Sequence, residues 1–466
     1  MAIVLLLGLS RPVAAQEVPT VPPIVLPPAP PAPSDNKDKP EHRSYLIPAF
    51  DIVLFETLLN GFDRQIDKSD TYRTNAASIR RNLHTKWVVD SDPFQTNQFL
   101  HPYQGAMYHG FARSAGLGYW TSMAYTFGGS VLWEIAGETS EPSKNDQIAS
   151  GIAGSFLGEP LFRMASMVAN GGSSLWRALG ATAISPATGF NRGVFGDRFD
   201  RVFSSRDAPV YARLHLGASL NTISAKSAQD AITQHDAVID FGMEYGRPGK
   251  PGYVYNQPFD YFTFQATGSR ATVFETVMSR GTLAGRQHDL GDHYRSVWGL
   301  YGSYDYVSPQ VFRVSTTAVS FGTTLERKLP HAVALQGTAL VGVGYGAAGT
   351  TGAVGQRDYH YGVTPQVLLA PRLVFGRWVV LDLSARDYFV SRLAGTPDQG
   401  RENIARAEGC LTARVNRSQA VSVRYVYSRR DASYPGTPDR VQARGAIAVL
   451  YTLMSDAGFG AVRWRQ

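Results

Sequence analysis

One cysteine, Cys410, stands among 466 residues, so neither an intrachain disulfide nor a Cys-cluster metal site can form. Charge is sparse, at 18% of residues, and the mean hydropathy of −0.16 leaves no room for many long apolar runs. The low charge excludes a disordered polyelectrolyte. The low hydropathy excludes a bundle of membrane-crossing helices, each of which needs about 20 apolar residues. The chain has no His-Glu-x-x-His for zinc and no Gly-x-Ser-x-Gly nucleophile turn. The net charge of +7 admits acidic partners, but the basic residues are scattered. They form no aromatic-interleaved patch, so nucleic acid is not an expected partner. No metal and no cofactor is implied.

What the chain does have begins with an address. Residues 2–9 form a short apolar run, and Val13-Ala14-Ala15 supplies a small-residue cleavage site, which predicts a signal peptide over 1–15. Its flaw is the absence of Lys or Arg before the apolar run. Between Pro19 and Pro33, eight of fifteen residues are proline. Such a segment favours an extended helix of roughly 45 Å at about 3.1 Å per residue. We read 16–42 as a Pro-rich tether, open to a periplasmic partner.

From about residue 207 the pattern alternates. Val421, Val423, Tyr425 and Tyr427 interleave with Ser422, Arg424 and Ser428, and Val379, Leu381 and Leu383 with Asp382, Ser384 and Arg386. Period two means strands with one apolar and one polar face. About twelve such runs follow: 208–222, 234–247, 258–270, 272–286, 293–306, 309–325, 332–345, 359–375, 377–389, 403–415, 419–429 and 440–454. Many are longer than the roughly five or six residues of ordinary strands, and a tilted strand crosses a bilayer in about nine to eleven. Tight turns at 376–377 and 416–418 contrast with long connections at 346–358, 390–402 and 430–439, as in outer-membrane barrels. The expected fold class is therefore α+β: a transmembrane antiparallel β-barrel of about twelve strands over 206–466, preceded by a small helical module over 43–205. Pro365 and Pro371 weaken the eighth strand, since proline cannot donate to the ladder. The expected lumen set is Arg213, Asp240, Arg295, Arg313, Asp382, Arg386, Arg406, Glu408, Arg414, Arg424 and Arg444. Such charges either brace the interior or line a narrow channel.

The module opens with Phe50, Val53, Leu54, Leu58 and Phe62 at helical spacing, an amphipathic helix expected to pack on the module or lie at a membrane surface. Its most distinctive stretch runs His101-Pro102-Tyr103-Gln104-Gly105, through Tyr108, Arg113 and Ser114, to Trp133, Glu134 and Glu138. Glu141-Pro142-Ser143-Lys144-Asn145-Asp146 follows, then Gly158-Glu159-Pro160 and Arg163. Ser143 with Asp146 three residues on resembles a capping box. Gly151, Gly154 and Gly158 give the next helix a small flank, and Pro160 should kink or interrupt it. Glu134 and Glu138, four apart, should share a helix face. Buried carboxylates must find Arg113, Arg163 or backbone donors.

Through the His-Pro-Tyr-x-Gly opening and the Glu141–Asp146 turn, residues 45–205 resemble a bacterial envelope family catalogued as domain of unknown function 3943. The resemblance implies an outer-membrane or periplasm-facing module joined to a barrel and supplies no catalytic residues. The leading expectation is a bacterial outer-membrane protein, its helices a plug, brace or periplasmic platform, maintaining the envelope or passing a substrate. Its partners would be outer-membrane lipid and, during biogenesis, the barrel-assembly machinery. The rival is a lipid- or lipopolysaccharide-modifying hydrolase using Ser114, His101 and Glu134 as nucleophile, base and orienting acid. A third reading is a periplasmic binding scaffold.

Overall fold

The computed structural model describes residues 42–461, apart from 67–68, 91, 173, 197, 200–207, 226–231, 292, 310, 351–358, 392–399 and 437. The expected signal peptide, the tether up to residue 41 and the C-terminal 462–466 lie outside the described residues. Among the described residues eight α-helices come first: α1 (Leu46–Ile66), α2 (Ala76–His84), α3 (His101–Ser114), α4 (Tyr119–Leu132), α5 (Lys144–Asp146), α6 (Gly154–Asn170), α7 (Leu175–Ile184) and α8 (Pro186–Phe195). π-helical stretches at Thr96–Leu100, Trp133–Gly137 and Gln147–Ala153 adjoin α3, α4 and α6. Local chemistry starts these helices. Asn75 and Ser78 cap α2 reciprocally, and Ser185 caps α8 ahead of Pro186.

Twelve strands follow: β1 (Val210–Ala225), β2 (Ile232–Tyr245), β3 (Phe262–Ser269), β4 (Thr276–Leu290), β5 (Tyr294–Val307) and β6 (Phe312–Leu329), then β7 (Val333–Thr350), β8 (Tyr359–Phe375), β9 (Val379–Val390), β10 (Arg401–Arg414), β11 (Gln419–Ser433) and β12 (Arg440–Met454). Each pairs antiparallel with its neighbour, and β1 pairs with β12 to close the barrel. The expected count of strands is met. At one end the connections are short (291–293, 330–332, 376–378, 415–418), 246–261 excepted, and β1 starts and β12 finishes there. We call this the turn end and the opposite one the loop end. The proline cost is local: the β8–β9 register runs from Gln366 to Leu369 and resumes at Arg372, skipping Pro371.

Burial alternates strictly along β11. Val421, Val423, Tyr425 and Tyr427 are exposed on the outer wall, while Ser422, Arg424, Val426 and Ser428 are buried inside. The barrel is thus apolar outside and polar within, the reverse of a water-soluble core. Ion pairs cross the lumen, Arg213 to Asp382 at 2.9 Å and Arg424 to Asp240 at 3.1 Å among them. Apolar layers lie at both ends. Toward the turn end, Phe459 from the segment after β12 is fully buried among Tyr211, Val374, Val380, Ala420 and Met454. Toward the loop end, Val307, Phe312, Val314, Ala348, Val390 and Ile404 cluster with Tyr388. Between them lies a cavity of about 180 Å³ lined by Arg213, Glu244, Gln336, Arg372 and Asp382.

The helical module packs on the outside of this wall. On β5, Gly302, Tyr304 and Tyr306 share a face with the exposed Trp298 and Leu300, and they are covered by Phe94, Phe99 and Phe156. On β2, β3 and β8 the same outward side supplies Met243, Tyr245, Phe262, Phe264, Tyr359 and Tyr361 to the shared core. The plug arrangement is therefore corrected: the lumen is already occupied by its own charged side chains, and the helices take the apolar exterior.

Candidate functional site

Two buried polar nodes join the module to the barrel. The first centres on Glu159 of α6. Gly154 lets α6 approach α3 closely, since a Cβ there would meet the Gly105 Cα at 2.6 Å, and Gly158 lies against His109 in the same way. The expected small flank is real. That contact brings Glu159 to α3, where its carboxylate accepts from Arg113 Nε at 2.7 Å. His109 Nε2 lies at 3.1 Å, and Arg163 Nε donates from α6 itself at 2.8 Å. Arg163 continues to the barrel, donating to Pro258 O at 2.8 Å and pairing with Asp260 at 3.3 Å. Burial alone would raise the Glu159 carboxyl, but Arg113, Arg163 and His109 hold it well below the usual carboxylate range. Burial lowers His109, so the ring is neutral and its Nε2–H faces Glu159.

Phe259, just before Asp260, adopts a left-handed backbone (φ 63°) that a bulky residue takes only when packing over-determines it. Here its ring stacks on Tyr119 at 5.6 Å.

The second node surrounds His101 and Asp146. Ser143 caps α5 as expected, accepting from Asp146 N at 3.2 Å. The return bond of the box is not made by Asp146, however. Glu134 reaches across and accepts the Ser143 N–H at 2.7 Å, leaving Asp146 to face His101 Nε2 at 3.6 Å. Asn145 Nδ2 donates to Asp90 at 2.8 Å and to the Tyr361 hydroxyl at 2.9 Å, and Asn97 donates to the Tyr359 hydroxyl at 3.0 Å. Side-chain amides thus hold the module to β8. Burial disfavours charge on His101, yet Asp146, Glu134, Glu138 and Asp90 together raise it to about 9. Burial and the Asp146 charge push Glu134 upward against the pull of His101.

The geometry sorts the expected site residues. His101 and Glu134 meet in the second node. Ser114 does not join them, because thirteen residues of α3 separate it from His101, about 20 Å at 1.5 Å per residue. Its hydroxyl donates to Gly110 O at 2.6 Å and accepts from Asn191 at 2.9 Å. The Ser–His pair that the hydrolase reading needs is not assembled. Glu134 and Glu138 also part company, because the helical turn stops at Gly137. Glu138 accepts from Trp133 Nε1 at 2.9 Å and from Ser140 at 2.7 Å. Tyr108 is fully buried and accepts from Gln104 at 2.6 Å, while Tyr103 is exposed. Pro142 O accepts from Val88 N at 2.9 Å.

In the lumen, Arg424 also approaches Glu408 at 4.0 Å, Arg386 approaches Asp305 at 3.9 Å and Arg406 donates to Ser428 at 3.3 Å. Arg313 leaves the lumen set. It shares its face with the exposed Val319 and Phe321, and its guanidinium lies over the Phe94 ring at 5.7 Å. The sequence reading missed Asp90, Asn97, Tyr359, Tyr361 and Asp260, all of them partners across long sequence separations with no local signature.

Among the described residues, no group of His, Cys, Asp and Glu is arranged to hold a metal. The barrel is similar to the anion-selective porin of Comamonas acidovorans, with 8% identity over 53% of this chain and 100% of that one and a TM-score of 0.22. It is also similar to the translocator domain of the autotransporter NalP from Neisseria meningitidis, with 14% identity over 57% of this chain and 95% of that one and a TM-score of 0.23. No curated protein matches the sequence. Residues 86–187, which hold the helical side of both nodes, match the family described as Domain of unknown function (DUF3943).

Proposed function

We propose that the protein is a closed, non-conducting barrel of the bacterial outer membrane, whose clamped helical module serves envelope maintenance rather than catalysis or passage. The exterior supports the location: alternating strands place Val421, Val423, Ile447 and Val449 outward on a wall of the kind that acyl chains wet. The observation that carries the rest is the lumen. Charges inside it pair across the barrel, and an apolar layer lies beyond them at each end. Hydrophobic constrictions stop ions by excluding water, and paired charges offer no continuous path. The two buried nodes have the chemistry of fasteners. Their charged groups meet partners on other elements, and neither node opens on a cavity large enough for a substrate.

Planar-bilayer recording of the purified protein tests this reading. No unitary conductance steps are expected, either from the intact chain or from a 43–205 deletion, because the helices lie outside the lumen. Sustained steps from the intact protein would overturn it.

A further inference from the structure

Helix α1 is turned inside out. Its inward stripe carries Asp51 and Glu56, which are only 3% and 7% exposed, beside Pro48 and Ile52. Its outward face carries Leu46 at 83%, Phe50 at 67%, Leu58 at 64% and Phe62 at 59%. In water a half-turn rotation would bury the phenylalanines and hydrate the carboxylates, so this orientation is stable only where the exterior is itself apolar. The one hydroxyl on that outward face, Thr57, donates back to Val53 O at 2.7 Å and presents no unmet donor. Helix α7 likewise turns Leu175, Trp176 and Leu179 outward, with Ala181 its one buried residue. Both helices belong to a module seated on the outward wall, the side on which the uncovered strands display their apolar residues.

From these observations we infer that the outward faces of α1 and α7 are lipid-contact surfaces, continuous with the barrel belt, and that the module lies among acyl chains. The occupant is the bilayer hydrocarbon because the exposed faces continue a belt that needs the same solvent. The helices lie in that layer without crossing it: among the described residues no helix is long and apolar enough to span a membrane. The inference rests on the outer-membrane reading above and replaces the periplasmic platform.

Spin labels test it. In a Cys410→Ser background, single cysteines replace Phe50, Phe62 and Leu179 in the module, Val423 and Val449 in the belt, and Ser418 in a tight turn. The full chain is reconstituted in vesicles of phosphatidylcholine and phosphatidylglycerol, and collision with oxygen is compared with collision with a water-soluble nickel chelate. Module sites should match the belt sites, with oxygen favoured several-fold, while Ser418 favours nickel. Module sites resembling Ser418 beside oxygen-rich belt sites would overturn the inference and leave the membrane reading standing. Nickel access at the belt sites would overturn the membrane reading itself. Low collision with both reagents at the module sites would mean a protein partner or second copy covers them, which also overturns it. Trp176 gives an independent readout without cysteines: brominated lipid should quench a fluorescence component that Trp176→Phe abolishes, and an unquenched Trp176 counts against lipid contact.

Discussion

The Ser279 hydroxyl of the barrel donates to the Phe156 carbonyl of α6 at 2.6 Å. That carbonyl is available because its intrahelical donor would be residue 160, and residue 160 is a proline without an N–H. The expected interruption at Pro160 does not occur, since α6 runs unbroken through it. Instead the missing helical bond becomes a bond between module and wall.

Ser279→Ala should therefore strand a buried carbonyl and cost about 1–3 kcal/mol. Pro160→Ala should supply an internal donor to the same carbonyl. In a double-mutant cycle followed by thermal unfolding in detergent, the pair should be non-additive by about 0.5 kcal/mol or more, with Ser279→Ala milder in the Pro160→Ala background. Additive effects would mean that the two residues do not compete for one acceptor.

Glu159→Gln should be among the most damaging changes in the chain, because it leaves Arg113 and Arg163 buried without a counter-charge, at about 3–5 kcal/mol. Limited proteolysis should then cut the module while the barrel stays resistant. The folded-state value of Glu159 is depressed, so its contribution is complete at neutral pH and fades as pH falls below the ordinary carboxylate range. A variant as protease-resistant as wild type at pH 7 would show that the node is not what holds α3 to α6.

The barrel was legible because its signal is local: each alternating run reports its own strand, and all twelve stand where period two places them. Errors came where the decisive partner is remote. Arg313 was assigned to the lumen from its charge, yet its spacing from Val319 puts it outside, where Phe94 satisfies it. Period 3.6 found α1 and its apolar stripe but could not say which solvent that stripe faces, and the structure turns it outward. The Ser143 box was half right, for the return bond comes from Glu134, nine residues earlier. Glycine spacing foretold a close approach on α6, because that is a property of one helix face, but not that α3 would be the partner.

Alkaline pH should loosen the module before it touches the barrel. Burial raises the Glu56 carboxyl to about 8 and the Asp51 carboxyl to about 6, while His101 stands at about 9. All three are raised, so all three bind protons more tightly when folded. The carboxylates' contribution is complete below the ordinary acid range and is lost as pH rises through 6 and 8; that of His101 disappears as pH passes 9. Helical ellipticity on heating should show a midpoint that falls from pH 5 to pH 9, and Glu56→Gln should flatten the part of that fall below pH 8. A midpoint rising over this range would contradict the assignment.

Phe459 fills the space between Tyr211, Val374, Val380, Ala420 and Met454 at the turn end, where the proposed closed barrel needs a seal. Phe459→Ala removes the ring from a fully buried site, at about 3–5 kcal/mol if the surroundings do not collapse. Water should then reach Arg213 and Asp382, whose pair lies directly above, and weaken it by raising the local dielectric. Brief, low-conductance openings are expected from this variant in planar bilayers, more frequent at high salt, where screening loosens the exposed pair further. Adding Val314→Ala, which thins the loop-end layer, should lengthen those openings, because the two apolar layers act in series along one path. If Phe459→Ala stays silent while the double variant conducts, the loop-end layer is the dominant barrier. If neither conducts, the charged lattice itself blocks the lumen, and the barrel is solid through its middle rather than merely closed at its ends.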